Sequence, residues 1–391
     1  MAIVGAVLAA MTLAACGSGD DGARATSTTA PGAVPRDFSR RGPYSVGVSH
    51  LQLEGGRAVE VFYPVERAAV SDGLVPFGYR AKDFGMADEV WPLAWSATIP
   101  DAWVDAPAST DGEFPVVIFS HGWASTRFSS SKHDAHLASW GFVVAVPQHP
   151  SRDLAAKLRG QDTLPPGDPE TIGDTIDLLD REAERPGGAL SGRLDMDQVA
   201  VEGHSAGGRD AIRAASSPRV DTWISLAGTP PLPGDVAAPP TGFDVTAALA
   251  KTEPPDKASM VLVAENDATV SPVYSRSVYE WLDAPKRFVV LADTGHVVFL
   301  DGCRPFQQGR LDGLVEAFGM DPASETVIGA NNGCRPDDAS ADAVADVWNH
   351  LVVAQLDSVF GIDEGVADAS LDADYLEATF PGRIEQYLTE G

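Results

Sequence analysis

Three glycines crowd one serine in VAVEGHSAGGRDA, which runs from Val199 to Ala211. Glycine weakens strands and helices alike, so such a cluster needs a reason. Gly203-His204-Ser205-Ala206-Gly207 has the G-x-S-x-G pattern, with a β-branched run before it and a helix-like segment after it. In that context the pattern describes a nucleophile elbow. Small residues allow a turn tight enough to lift the Ser205 hydroxyl above a sheet, at the N-terminus of a helix. The backbone N–H of Ala206 is then placed to stabilise an oxyanion. The bland alternative is a packing turn, and partners for Ser205 decide between the two.

A serine hydroxyl is a poor nucleophile without a base to take its proton. The elbow arrangement orders its triad as Ser, acid, His along the chain. Of the eight histidines, only His296 and His350 follow the elbow with room for an acid between. His350 lies in the apolar helical run VWNHLVVAQL and reads as a packed histidine. His296, in LADTGHVVF, sits just past a strand, where a base can swing over Ser205. Asp267 directly follows the strand SMVLVAEN and is the expected acid, orienting His296 and stabilising its imidazolium. Asp293 is too near His296 in the chain to approach the ring from behind, while Asp301 and Glu265 remain open. The second oxyanion donor should follow the strand PVVIFS, where the chain reads Ser120-His121-Gly122-Trp123. The N–H of Trp123 is the expected donor, its indole either a wall of the acyl site or core packing. A structural hydrogen bond is expected of His121. Such a set attacks acyl carbonyls and needs no metal or organic cofactor.

The elements that must position these residues alternate. AVEVFYP, PVVIFSHGW with its closing Gly turn, FVVAVPQHP, VAVEGHS, DTWISLAG, SMVLVAEND and RFVVLADTG read as strands. HDAHLASW, TIGDTIDLLDREAE, AGGRDAIRAASS and ADAVADVWNHLVVAQLDSVFG read as helices. Alternation of this kind predicts an α/β fold with a mostly parallel central sheet and helices on both faces.

The 391 residues carry 56 acidic against 28 basic side chains, a formal net charge of -28. That surface repels phosphate backbones, so nucleic acid is not an expected partner. MAIVGAVLAAMTLAAC is apolar from Ala2 to Ala15, the size of a signal-peptide core. Its end, Leu13-Ala14-Ala15-Cys16, resembles the lipobox of bacterial lipoproteins, which implies lipidation and membrane anchoring at Cys16. The expected organisation is therefore a leader over residues 1–16, a Gly/Ser/Thr/Pro tether over 17–37 and a catalytic domain over 38–391. Assigning Cys16 to lipid leaves Cys303 and Cys334, both in Gly-Cys-Arg-Pro. Two thiols are too few for structural zinc, and an exported chain meets an oxidising compartment. A disulfide that steadies the His296 loop is expected.

With the elbow, the SHGW loop and the late Asp and His in place, the chain resembles the α/β-hydrolase superfamily. FPVVIFSHGWASTRFSSSKHDAHLASWGFVVAVPQHPSRD is similar to the corresponding part of the platelet-activating-factor acetylhydrolase family, and AVEVFYP and GHSAGG fit as well. The resemblance implies hydrolysis of carboxylic esters, often short or oxidised acyl groups on lipids. VLVAENDATVSPV and the SHGW loop are also similar to bacterial cutinases and polyester hydrolases. Those carry a Trp-His pair after the strand that follows the elbow helix, where this chain reads Leu226-Ala227-Gly228-Thr229-Pro230. The proline-rich Thr229–Phe243 segment predicts no large lid, and the aromatic-rich Val75–Val104 segment either rims the cleft or simply packs. An inert binding protein of the same fold is the non-enzyme alternative, although no triad member is missing. Metabolic labelling with a fatty-acid analogue should mark the wild-type chain and not Cys16→Ser; equal labelling of both would remove the anchor.

Overall fold

The computed structural model describes residues 32–80, 97–158, 168–232, 243–309 and 331–391, together with 83, 312 and 329. The leader, Cys16 and most of the expected tether lie outside these residues. Apolar runs rich in Val, Ile and Phe form the middle of the sheet because strands covered on both faces have no polar side to present. The strands, in chain order, are β1 (Ser45–Gln52), β2 (Ala58–Val65), β3 (Val75–Tyr79), β4 (Ala97–Val104), β5 (Phe114–Ser120), β6 (Val143–Pro147), β7 (Leu194–His204), β8 (Thr222–Leu226), β9 (Ala258–Ala264), β10 (Lys286–Leu291) and β11 (Ile384–Glu390). One 11-stranded sheet results, in the order β11-β10-β9-β8-β7-β5-β6-β2-β1-β4-β3. From β6 through β5, β7, β8 and β9 to β10 every pairing is parallel. The flanks are mostly antiparallel, with β2 on β6, β1 on β2, β3 on β4 and β11 on β10.

Alternation along each strand sends side chains to two cores. Phe62, Val117, Phe119, Ile224 and Leu262 pack beneath α1 (Ser131–Ser139) and the long helix Ala341–Phe360. Val61, Val116, Ile118, Val201, Trp223 and Val263 pack on the other face, with the helices Asp168–Glu184, Ala206–Ala214 and Pro272–Trp281. In chain order the remaining labels are α2 (Leu154–Leu158), α3 (Asp168–Glu184), α4 (Ala206–Ala214), α5 (Val245–Leu249), α6 (Pro272–Trp281), α7 (Cys303–Gln307) and α8 (Ala341–Phe360). The mostly parallel sheet with helices on both faces is the predicted architecture. The sequence pattern does not show β1, β3, β4 or β11, which are outer strands; β11, IEQYLTE, is only partly buried and reads as polar.

The described part of the aromatic-rich segment packs. Phe77 meets Phe62 edge-on at 5.5 Å, and Tyr79 stacks on Phe128 at 5.7 Å. Trp91 and Trp95 lie outside the described residues, as does most of Thr229–Phe243. Phe38 is fully buried, and its N–H donates to Nδ1 of His350 at 3.1 Å. The other nitrogen of that ring, Nε2, donates to the Ser370 carbonyl at 2.9 Å, so His350 is a core histidine.

Cys303 and Cys334 form a disulfide across a sequence separation of 31, tying α7 to the turn before α8. In Cys16→Ser, thiol titration in denaturant without reductant should find no free thiol. Reduction should then lower the melting temperature, by a free energy of about 3–4 kcal/mol in the chain-entropy treatment. Two free thiols before reduction would exclude the bridge.

Three carboxyls oppose ionisation, those of the buried Asp134 and Asp357 and that of the half-buried Asp301. Burial pushes Asp301 up to about 6 and Asp357 up to about 7, from an ordinary 3.8. Asp134 is raised well above its ordinary value by burial, reinforced by the neighbouring Asp301 and Glu202. Among the described residues neither Asp134 oxygen has a hydrogen-bond partner. Because these folded pKa values lie above the unfolded ones, their stabilisation is complete below about pH 4 and is lost as pH rises through about 6 to 7. The buried histidines His136 and His204, whose pKa values burial lowers to about 3, act in the opposite direction. The carboxyl contribution therefore shows as a difference: Asp301→Asn or Asp357→Asn should raise the melting temperature at pH 8 relative to pH 5 compared with the wild type. Variants whose melting temperature follows pH just as the wild type's does would contradict this.

Candidate active site

The site is assembled at the carboxyl ends of β5, β7, β9 and β10. Between β7 and α4 the chain turns at Ser205, whose backbone sits at φ 58° and ψ −116°, an unusual conformation for a residue with a side chain. The turn is held from both sides: Ser205 N–H donates to Leu226 O at 2.9 Å, and Thr229 N–H donates to Ser205 O at 3.1 Å. Gly207 has a steric duty, because a Cβ there would run into the Ser120 carbonyl at the end of β5. The elbow is thus pressed directly against the strand that leads to the SHGW loop. Ala206 opens α4, where the first N–H groups of a helix have no intrahelical acceptor.

The Ser205 hydroxyl donates to His296 Nε2 at 3.0 Å. On the opposite side of the ring, His296 Nδ1–H donates to Asp267 Oδ2 at 2.8 Å. The second Asp267 oxygen is occupied by the N–H groups of Thr269 at 2.8 Å and Val270 at 2.7 Å, which fixes the carboxylate plane. Ser205, Asp267 and His296 are 8%, 7% and 5% exposed, so the relay is shielded but reachable. The other acids face elsewhere. Asp301 accepts from the Tyr79 hydroxyl at 3.1 Å and from Lys132 N–H at 3.2 Å. Glu265 accepts from the Asp293 N–H at 2.9 Å.

The SHGW loop is tied down by a buried polar network. Ser120 Oγ accepts from Arg152 Nη2 at 2.8 Å and lies 3.0 Å from His149 Nε2. His121 Nδ1–H donates to Gly122 O at 2.9 Å, while its Nε2 accepts from His149 N–H at 3.0 Å. The expected structural role of His121 is what the structure shows. Arg152 also meets Asp210 of α4 at 2.7 Å, so one buried ion pair couples this loop to the elbow helix. Among the described residues nothing accepts a hydrogen bond from the Trp123 N–H. The Trp123 indole is 57% exposed, with the Lys157 ammonium 3.7 Å above its ring, so it is not a core residue.

Sequence reasoning missed Arg152 and Asp210, because two isolated charges 58 positions apart carry no pattern. It also missed the part played by His204. Burial, with the nearby His296 second, lowers the His204 pKa to about 3. The neutral ring donates from Nε2 to the His296 carbonyl at 2.8 Å. Among the described residues no group of three His, Cys, Asp or Glu is placed to hold a metal ion, and no helix is long and apolar enough to cross a membrane.

Residues 38–185 match the family described as platelet-activating factor acetylhydrolase, isoform II. The platelet-activating factor acetylhydrolase of Canis lupus familiaris is 27% identical over 241 residues, which cover 47% of this chain and 54% of that protein. That of Cavia porcellus is 26% identical over 242 residues, covering 48% and 55%. Chlorophyllase-1 of Arabidopsis thaliana is 25% identical over 233 residues, covering 55% of this chain and 68% of that one. The chain thus spans about half the length of the acetylhydrolases it matches. The sheet and its helices have the α/β-hydrolase fold, and over residues 38–185 the chain is similar to the platelet-activating factor acetylhydrolase, isoform II family.

Proposed function

We propose that the protein is an exported serine ester hydrolase acting on short-chain or lipid acyl esters. One observation carries the reading: the hydrogen-bonded relay from Ser205 through His296 to Asp267. The similarity to acetylhydrolases supports it independently, since the matched family region ends at residue 185, before any of the three.

In this mechanism Ser205 Oγ attacks the acyl carbonyl as His296 Nε2 takes its proton. Asp267 holds the ring in the tautomer that keeps Nε2 free, and it stabilises the imidazolium that forms. The negative charge on the carbonyl oxygen is met by the N–H groups of Trp123 and Ala206. Collapse of the tetrahedral intermediate breaks the C–O bond, and His296 returns the proton to the leaving alcohol. Water then attacks the acyl-enzyme by the same route and frees the acid and Ser205. Lipidation of Cys16 would anchor the enzyme outside the cytoplasm, and the Cys303–Cys334 disulfide is consistent with such an oxidising compartment.

A chain-length series of nitrophenyl esters, set beside a peptide amide, tests the class and acyl preference. Ser205→Ala and His296→Ala should each lower kcat by about 10⁴-fold or more without loss of the fold, because triad members act as a unit. Asp267→Asn should cost less, though still orders of magnitude. A fluorophosphonate probe should label the wild type and not Ser205→Ala. Ester hydrolysis surviving in Ser205→Ala would overturn the proposal.

A further inference from the structure

Asp267 and His296 stand on separate loops, one after β9 and one after β10, and a third segment touches both. Asn332 is buried in the turn before α8, two residues from the disulfide at Cys334. Its Oδ1 accepts from the N–H of Ala268 at 2.9 Å and from the N–H of His296 itself at 2.9 Å. Its Nδ2 donates to the carbonyl of Asn266 at 3.0 Å. Its own backbone carbonyl accepts from Val297 N–H at 3.0 Å. Two amide donors on one side and a carbonyl on the other leave only one orientation of the side-chain amide that satisfies every partner. The residues gripped are the two flanking Asp267, together with His296 and its successor.

The fit is close in the backbone as well. Gly333 adopts φ +91°, and a Cβ there would strike the Gly295 backbone just before the histidine. With His204 Nε2–H on the His296 carbonyl at 2.8 Å, both ends of the His296 peptide unit are anchored by side chains from other segments. The disulfide then fixes the Asn332 turn to α7, which follows the His296 loop in the chain.

Taking Ser205, His296 and Asp267 as the reacting relay, we propose that Asn332 is a positioning residue that sets the spacing of acid and base. It touches neither substrate nor the reacting atoms. It clamps the acid loop to the base loop so that Nδ1 meets Asp267 while Nε2 stays on Ser205. Losing the clamp should slow the chemical step and leave substrate binding alone, since small misplacements of reacting groups are costly in rate.

The test uses the full chain with its disulfide intact, assayed on p-nitrophenyl acetate well below each variant's melting temperature. Asn332→Ala should lower kcat by about 10- to 100-fold while KM changes by less than about two-fold, and fluorophosphonate labelling of Ser205 should slow in parallel. Asn332→Asp keeps an oxygen facing both N–H groups but sets its other oxygen against the Asn266 carbonyl, so it should recover part of the loss. Should Asn332→Ala fail to fold, Asn332→Ser, too short to reach both amides, is expected to show the same fall in kcat. A folded Ala or Ser variant with wild-type kcat overturns the proposal, and so does an Asp variant as slow as Ala. Comparison with Ser205→Ala separates the two readings. If Ser205→Ala is inactive while Asn332→Ala matches wild type, only the clamp is wrong; if Ser205→Ala still hydrolyses the ester, the relay itself is wrong.

Discussion

An imidazole ring with two different jobs on its two nitrogens constrains the rest of this molecule. His296 must meet Ser205, 91 positions earlier, at 3.0 Å, and Asp267, 29 positions earlier, at 2.8 Å, with one rigid ring between them. Hydrogen bonds of that length lose strength quickly when the groups shift or tilt. The sheet satisfies the demand because β7, β9 and β10 run parallel within one layer and release their loops at the same edge. Parallel strands need covered faces, and the two apolar cores supply them.

Loops alone are poor supports, so the site is braced from behind by buried polar groups. Each brace connects elements distant in sequence: Arg152 to Asp210, His121 to His149, His204 to the His296 carbonyl. Such groups are costly in an apolar interior unless every partner is present, and when satisfied they admit one arrangement. The strained backbone at Ser205 belongs with them. Its unusual φ persists because Leu226 and Thr229 hold the peptide on both sides.

Charge works differently inside and outside. The acidic surface carries the formal net charge of -28. Asp134, by contrast, is buried on α1 with the half-buried Asp301 near it, and withdrawal from water raises both pKa values. Asp301 also joins β3 to α1, because its carboxyl accepts from Tyr79 and from Lys132 N–H while it follows the His296 turn in the chain. A residue that sequence order alone left open as the triad acid is, in the structure, a link between layers.

The local sequence determined a good deal. G-x-S-x-G between a strand and a helix specifies the elbow, since only small residues survive that turn. The apolar runs specify the parallel strands, and the helix Ala341–Phe360 ends where Gly361 takes the left-handed conformation at φ 66°. Chain order reduced the candidates for a base to two histidines, and periodicity identified His350 as the packed one. What the tertiary structure decided lies between segments: Asp267 and not Asp301 or Glu265 at the ring, Arg152 against Asp210, and Asn332 across both loops. Edge strands such as β11 belong to this second group, because their pairing depends on a neighbour and not on an apolar pattern of their own. The physical reason is one of range. Turn sterics and hydrophobic periodicity act among residues near in sequence and leave a signature there, whereas a hydrogen bond between residues 58 or 91 positions apart leaves none until the chain is folded.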